Sequence, residues 1–233
     1  MNTTLITGAS KGIGHAIANR MHAAGHLVVG VARHQPGDFP GDFVIADLGD
    51  ADETADALSV IHSDHDITHV VNNLGIANPQ PIAEVDFETF HRTIDLNLRT
   101  TLQVTQSCLP TMVKMGYGRI VNISSRAALG REFRTSYSTA KSGLIGLSRS
   151  WALELAAKGI TVNVVAPGLT DTDMLRANNT DIASRANQVP MKRLADPLEI
   201  AAAAEFFLSE GASYVTGQVL HVCGGLSVGL APL

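Results

Sequence analysis

Thr7-Gly8-Ala9-Ser10-Lys11-Gly12-Ile13-Gly14 stands near the start of the 233-residue chain, between a short apolar run and an amphipathic stretch. The run at 4–7 reads as a buried strand. The stretch 12–24, ended by Gly25, has helical spacing. Three glycines in eight residues let the backbone turn tightly where a strand feeds a helix, and they let a bulky anion approach the main chain. The helix behind them offers free N–H groups and a partial positive charge to phosphate. A purely steric turn is the competing reading. The strand–turn–helix context favours a nucleotide site.

Outward from this turn the pattern repeats. Further strands are expected over 26–32, 43–46, 68–72, 119–123, 160–165 and 218–222. Between them, helical spacing runs over 51–61, 87–115 (broken near Asn97 and carrying Pro110), 136–158 and 198–208. Alternating strands and helices imply an α/β fold, with a doubly wound, mostly parallel sheet of seven strands and helices on both faces. No internal repeat or linker divides the chain, so 1–233 reads as one domain. The segment 168–191 is less periodic and polar, with Asn178, Asn179, Thr180 and Asp181. Because it follows the sixth strand, at the sheet end where open α/β sheets bind ligands, it is expected to be a substrate flap.

Composition narrows the function class. The hydrophobic fraction is 45% and the formal net charge −5. No Lys/Arg block resembles a nucleic-acid patch. Cys108 and Cys223 have no metal or redox spacing. His62, His65 and His69, interleaved with Asp64 and Asp66, straddle a helix end and a strand start and would not share a face, so no metal site is expected. The opening residues show no basic, apolar leader, and no run approaches a membrane span, so a cytoplasmic protein without membrane partners is expected.

The spacing Gly-x-x-x-Gly-x-Gly, preceded by Thr7, resembles the short-chain dehydrogenase/reductase family, and later landmarks match in order as far as Gly225. The resemblance implies a Rossmann-type fold and a dinucleotide held by Gly8, Ser10, Lys11, Gly12, Ile13 and Gly14. The second strand ends Val31-Ala32-Arg33-His34, with no acid to repel a 2′-phosphate. Arg33, with its planar fork, is placed to accept that phosphate, and Lys11 could add a second cation, so NADP(H) is the expected cofactor. By the same resemblance Asp47 bonds the adenine amino group, with Leu48 beside it. In Asn72-Asn73-Leu74-Gly75, Asn73 meets the adenosine ribose and Gly75 contributes its backbone; Leu74 departs from the family's alanine. Pro167, Gly168, Thr170 and Thr172 match the loop that meets the nicotinamide carboxamide and phosphates.

Tyr137-Ser138-Thr139-Ala140-Lys141 carries the chemistry. Residues four apart share a helix face, so Tyr137 and Lys141 meet. A free phenol titrates near pH ~10; a neighbouring ammonium favours the phenolate and tunes the tyrosine for proton exchange with a carbonyl or alcohol oxygen. A surface pair is the competing reading. The preceding Gly118-Arg119-Ile120-Val121-Asn122-Ile123-Ser124-Ser125 argues against it. Ser125 is expected to hydrogen-bond the substrate oxygen. Ser124 is the alternative, because the interval from Ser125 to Tyr137 is one residue shorter than in many relatives. The resemblance makes Asn97 the fourth catalytic residue, holding a water that relays protons from the lysine, and it makes Tyr137 and Lys141 contacts of the nicotinamide ribose.

These residues point to a reductase of a ketone or 3-oxoacyl group, closest in pattern to 3-oxoacyl-(acyl carrier protein) reductases. Lys114 and Lys158 could meet an acidic carrier, but Gly116 leaves a gap between them. The alternatives are an alcohol dehydrogenase working oxidatively and a nucleotide-binding scaffold without turnover. Arg126, Arg131 and Arg134 lie between Ser125 and Tyr137. They could bind an acidic substrate group, pair with Glu132 or line a subunit contact. The resemblance also implies a homotetramer built on the helices 100–114 and 136–158, whose small residues Ala140, Ser142, Gly143 and Gly146 permit close packing.

Overall fold

In a computed structural model the chain is described over residues 2–177 and 181–228; Asn178, Asn179 and Thr180 lie outside the described residues. Seven parallel strands form one sheet in the order β3-β2-β1-β4-β5-β6-β7. They are β1 (Thr3–Thr7), β2 (Leu27–Ala32), β3 (Asp42–Ile45), β4 (His69–Asn72), β5 (Gly118–Ile123), β6 (Ile160–Pro167) and β7 (Val219–Val222). The central strands β1, β4, β5 and β6 are buried along their whole length, which their near-continuous apolar and β-branched runs require in a sheet covered on both faces.

Successive side chains on each strand feed opposite cores. Leu5, Val29, Val70 and Ile120 meet Leu58, Ile61, Val104, Met112 and Leu155. These come from α2 (Ala51–Asp64), α4 (Thr100–Met115) and α5 (Thr135–Leu155). Ile6, Val28, Val71 and Val121 meet Ile17, Met21, Ile200 and Phe207 from α1 (Gly12–Ala23) and α8 (Pro197–Leu208). Chain order reverses between β1 and β4, which opens a crevice beyond their carboxyl ends.

The helical run 87–115 is continuous where a break was expected. α3 (Phe87–Ile94) passes through one π-helical turn, Asp95–Arg99, directly into α4. The wider turn lets the buried Asn97 side chain bond back to the Thr93 carbonyl at 2.8 Å inside the helix. Pro110 lies within α4 without ending it. The run 136–158 ends sooner than expected, at Leu155, tightening into a 3₁₀ turn that Gly159 closes at φ +74°. The described residues of the segment 168–191 are more regular than its composition suggests. It carries α6 (Asp173–Ala177) and α7 (Ile182–Gln188), the latter capped by the Asp181 carboxylate accepting from Ser184 N at 2.8 Å.

A buried polar chain runs along one face of the sheet from α4 to α5. Asn72 Nδ2 donates to Thr105 Oγ1 (3.0 Å) and Asn122 Oδ1 (2.8 Å), and Asn122 Nδ2 donates to Ser148 Oγ (2.8 Å). Asn72 and Asn122 are register partners on adjacent strands. Asn122→Ala removes two buried hydrogen bonds while Asn72 Nδ2 keeps Thr105 and Ser148 Oγ keeps the Leu144 carbonyl, and it is expected to destabilise the fold by about 2 kcal/mol, read as a lowered denaturant midpoint at unchanged slope.

Candidate active site

The glycine turn is built so that only glycine fits. Gly8 and Gly12 sit at φ +64° and +57°, where side chains with a Cβ are strained. A Cβ on Gly14 would stand 2.3 Å from Gly8 O and 2.6 Å from Asn73 Nδ2. Thr7 pins the turn to the end of β4: its Oγ1 accepts from the backbone N–H of Asn73 (3.0 Å) and Leu74 (3.1 Å). Asn73 Nδ2 answers by donating to Thr7 O (3.0 Å) and Gly8 O (3.1 Å). The Asn73 amide nitrogen therefore shapes the turn itself. Thr7 was missed as a site residue, although its place before Gly8 marked it. The first turn of α1 has no acidic residue and no side-chain cap, so its N–H groups remain available to an anion.

Along the crevice, Arg33 is exposed at the tip of β2 and has no ion-pair partner among the described residues. Lys11 Nζ lies 3.4 Å from Asp173 Oδ2 on α6, both side chains about two-thirds exposed, so this pair is weak. Asp47 is exposed and its Oδ1 accepts from Gly49 N at 2.9 Å. Leu48 is buried, with its carbonyl held by Arg99 Nη2 (3.0 Å) and Thr100 Oγ1 (2.9 Å). Arg99 also pairs with Asp95 at 2.9 Å, tying this loop to the π-helical turn; sequence reading did not single it out. Past β6, Gly168 packs so closely that a Cβ would meet Cys223 Cα at 2.7 Å. Thr170 is buried, and Thr172 approaches Gly12 and bonds to Thr170 O at 3.4 Å. The turn, the end of β2 and the Pro167–Thr172 loop thus border one crevice that fits a dinucleotide.

The candidate catalytic residues meet where β4, β5 and α5 converge. Lys141 is buried, 3% exposed, its Nζ donating to Ile123 O at 2.9 Å and lying 5.7 Å from the Tyr137 ring centroid. Burial lowers the lysine pKa to about 7. Burial raises the Tyr137 phenol, while a hydrogen bond with Ser125 and the nearby Arg134 and Arg131 act in the other direction. Ser124 is turned away: it is buried and its Oγ donates to Lys141 O at 2.7 Å. Ser125 is thus the serine beside the phenol, and the shorter interval does not displace it. Asn97 is fully buried, with Nδ2 on Thr93 O and Ile76 O while Oδ1 has no partner among the described residues. A Cβ on Gly75 would stand 2.5 Å from that Oδ1 and 3.0 Å from Lys141 Nζ. The bare Gly75 therefore separates a buried acceptor from a buried ammonium, a setting suited to an ordered water.

The histidines expected to bind no metal have separate surroundings. His65 faces Asp42 at 3.3 Å, His62 lies 4.0 Å from Cys108 Sγ, and His69 is buried against Tyr117 Oη at 3.1 Å.

Known proteins resemble the chain over nearly its whole length. A family model described as enoyl-(acyl carrier protein) reductase matches residues 8–227. The 3-oxoacyl-[acyl-carrier-protein] reductase of Escherichia coli is 38% identical, over 95% of this chain and 96% of that protein. Among solved structures, the aldohexose dehydrogenase of Thermoplasma acidophilum aligns with a TM-score of 0.94 at 32% identity, over 100% of this chain and 96% of that one. A protein described as an NAD(P)-dependent gluconate 5-dehydrogenase from Beutenbergia cavernae, solved with NADP, gives 0.91 at 32% identity, over 98% and 97%.

The Lys141 pKa sets a sign for stability against pH. The unfolded lysine holds its proton to about 10.5, the folded one only to about 7. Between these values the unfolded chain binds more protons, so this residue makes unfolding free energy rise with pH. Denaturant titrations of the cofactor-free protein across that window are expected to show the rise, and Lys141→Met is expected to flatten it.

Proposed function

The chain belongs to the short-chain dehydrogenase/reductase family and is an oxidoreductase acting on CH–OH and C=O groups; from that premise we propose that it is an NADP(H)-dependent reductase of a ketone or 3-oxoacyl group. The observation that carries this reading is the convergence of Ser125, Tyr137 and the buried Lys141. The dinucleotide, when bound, supplies or accepts the hydride. The chain's own residues then manage the oxygen. Ser125 donates a hydrogen bond to the carbonyl oxygen, and Tyr137 delivers its phenolic proton to the same atom as negative charge develops there. Lys141 favours the phenolate left behind and holds the nicotinamide ribose, while Asn97 Oδ1 orients a water through which the proton is replaced from solvent.

The preference for NADP(H) rests on Arg33, exposed and without an acidic partner among the described residues at the end of β2. It gains support from the NADP bound by the Beutenbergia cavernae relative. Gly8, Ser10, Lys11, Gly12, Ile13 and Gly14 are assigned to the phosphates, Asp47, Leu48, Asn73 and Gly75 to the adenosine side, and Pro167, Gly168, Thr170 and Thr172 to the nicotinamide side. The segment 168–191 covers the substrate. Homotetramer formation is part of the same proposal: Leu102 on α4 and Leu153 on α5 are 41% and 86% exposed, apolar surface that subunit contact would cover.

Tyr137→Phe is expected to cut kcat for ketone reduction by about 10²–10⁴ with NADPH affinity kept within a few-fold; turnover at the wild-type level would remove Tyr137 from the chemistry. Arg33→Ala is expected to weaken NADPH binding by about 10–100-fold, the cost of one charge-assisted bond, and so to erase selectivity over NADH in a nucleotide-fluorescence titration. NADH binding as tight as NADPH in the wild type would overturn the cofactor assignment.

A further inference from the structure

The loop between Ser125 and Tyr137 holds three arginines, and two of them are unaccounted for. Arg126 is engaged: its Nε donates to Leu226 O at 3.2 Å and its Nη1 to Gly130 O at 3.3 Å. Arg131 and Arg134 are half-buried, yet neither guanidinium makes an ion pair or hydrogen bond among the described residues. Glu132 between them is exposed and pairs with neither, so the intraloop salt bridge that the sequence allowed is not formed. Arg185, from α7, adds a fourth guanidinium close enough to repel both, and its Nη1 donates to Gln188 Oε1 at 3.4 Å.

The loop is held in this arrangement at a cost. Phe133, between Glu132 and Arg134, adopts φ +59°, in the left-handed region that side chains with a Cβ avoid. Its carbonyl accepts from Gln80 N at 2.9 Å, and Gln80 and Arg134 pair as an isolated parallel bridge. The strained backbone thus fixes two cations beside the phenol, near enough that both act on Tyr137. Guanidiniums partly out of water and close enough to repel one another raise the local positive potential, which a bound anion relieves.

We propose that Arg131 and Arg134, with Arg185 beside them, bind a carboxylate of the substrate, so that the compound reduced is a compact oxo-acid whose anion lies a few bonds from its carbonyl. This rests on the reading of Tyr137 as proton donor. Two planar forks suit a carboxylate, which one or both can grip bidentately. A neutral sugar or simple ketone would leave them unpaired. A phosphate at the far end of a pantetheine arm would lie too many bonds from the carbonyl to reach residues beside Tyr137. The carboxylate also orients the substrate, since two fixed points, the oxygen at Ser125–Tyr137 and the anion at the arginines, define which face of the carbonyl meets the nicotinamide side of the crevice.

The test compares 4-oxopentanoate with its ethyl ester, which presents the same carbonyl without the charge, using the full chain and NADPH. The acid is expected to exceed the ester in kcat/KM by about 10-fold or more, mainly through KM. In Arg131→Gln and Arg134→Gln the acid-to-ester ratio is expected to collapse towards one. A wild-type ratio near one, or a ratio that survives both substitutions, overturns the proposal. So does acetoacetyl-pantetheine outperforming the acid with the same ratio in wild type and variants. Binding separates this proposal from the reading it rests on. Tyr137→Phe loaded with NADPH is titrated with acid and ester, followed by nucleotide fluorescence. Tighter binding of the acid, lost with Arg134→Gln added, supports the carboxylate site even if Tyr137 proves dispensable for turnover. Equal binding of acid and ester overturns it.

Discussion

Burying the Lys141 ammonium is the constraint around which the catalytic end of the sheet is organised. A cation 3% exposed survives only where the backbone offers it an acceptor, and the Ile123 carbonyl at the end of β5 does so at 2.9 Å. That bond fixes the start of α5 against the strand end. Ser124, one residue past Ile123, returns a bond to the Lys141 carbonyl, so strand and helix are laced in both directions. With the helix fixed in rotation, Tyr137 one turn earlier has no choice of neighbours: it lies beside Ser125 on the strand's continuation. The buried lysine is therefore the clamp that positions the phenol. Desolvation lowers the lysine's proton affinity to about 7, so the site runs with an ammonium poised near neutrality.

The same economy governs the glycines. Gly75 leaves space between Asn97 Oδ1 and Lys141 Nζ that a single methyl would fill, and Gly14 lets α1 approach the Gly8 carbonyl. In each case the absent side chain is what lets two polar elements share one small volume. The π-helical turn at Asn97 serves the same end. A regular helix would carry the asparagine away from Gly75, whereas the wider turn keeps Nδ2 bonded to Thr93 O and leaves Oδ1 towards the lysine. Thr7, Asn73 and the glycine turn then bind this catalytic end to the nucleotide end through hydrogen bonds of 3.0–3.1 Å.

Much of this was legible in the sequence because it rests on short-range regularities. Strand alternation, the glycine turn and the i, i+4 pair are local, and all seven strands lie within a few residues of their expected bounds. What escaped was set by tertiary contact. A π-helical turn has no composition of its own, so Asn97 read as a break. The segment 168–191 read as irregular because its two helices are short and polar. The choice between Ser124 and Ser125 depended on which side chain faces inward at the end of a strand: Ser124 Oγ is taken by the Lys141 backbone carbonyl, whereas Ser125 lies beside the phenol. Asn73 has a structural part that the resemblance did not indicate: its amide nitrogen holds the Thr7 and Gly8 carbonyls.

Electrostatics sets the active-site mouth apart from the rest of the protein. The chain carries a formal net charge of −5, yet Arg126, Arg131, Arg134 and Arg185 gather where Tyr137 opens to the crevice. A local positive field on an acidic protein draws small anions towards one place on the surface, and low-dielectric walls strengthen it there. The same field acts on the chemistry. Arg131 and Arg134 favour the Tyr137 phenolate and so counter the effect of its burial. A carboxylate bound to them would neutralise part of that help as it arrived, pushing the phenol back towards its protonated form. In the reductive direction this holds the proton on the phenol until negative charge develops on the carbonyl oxygen.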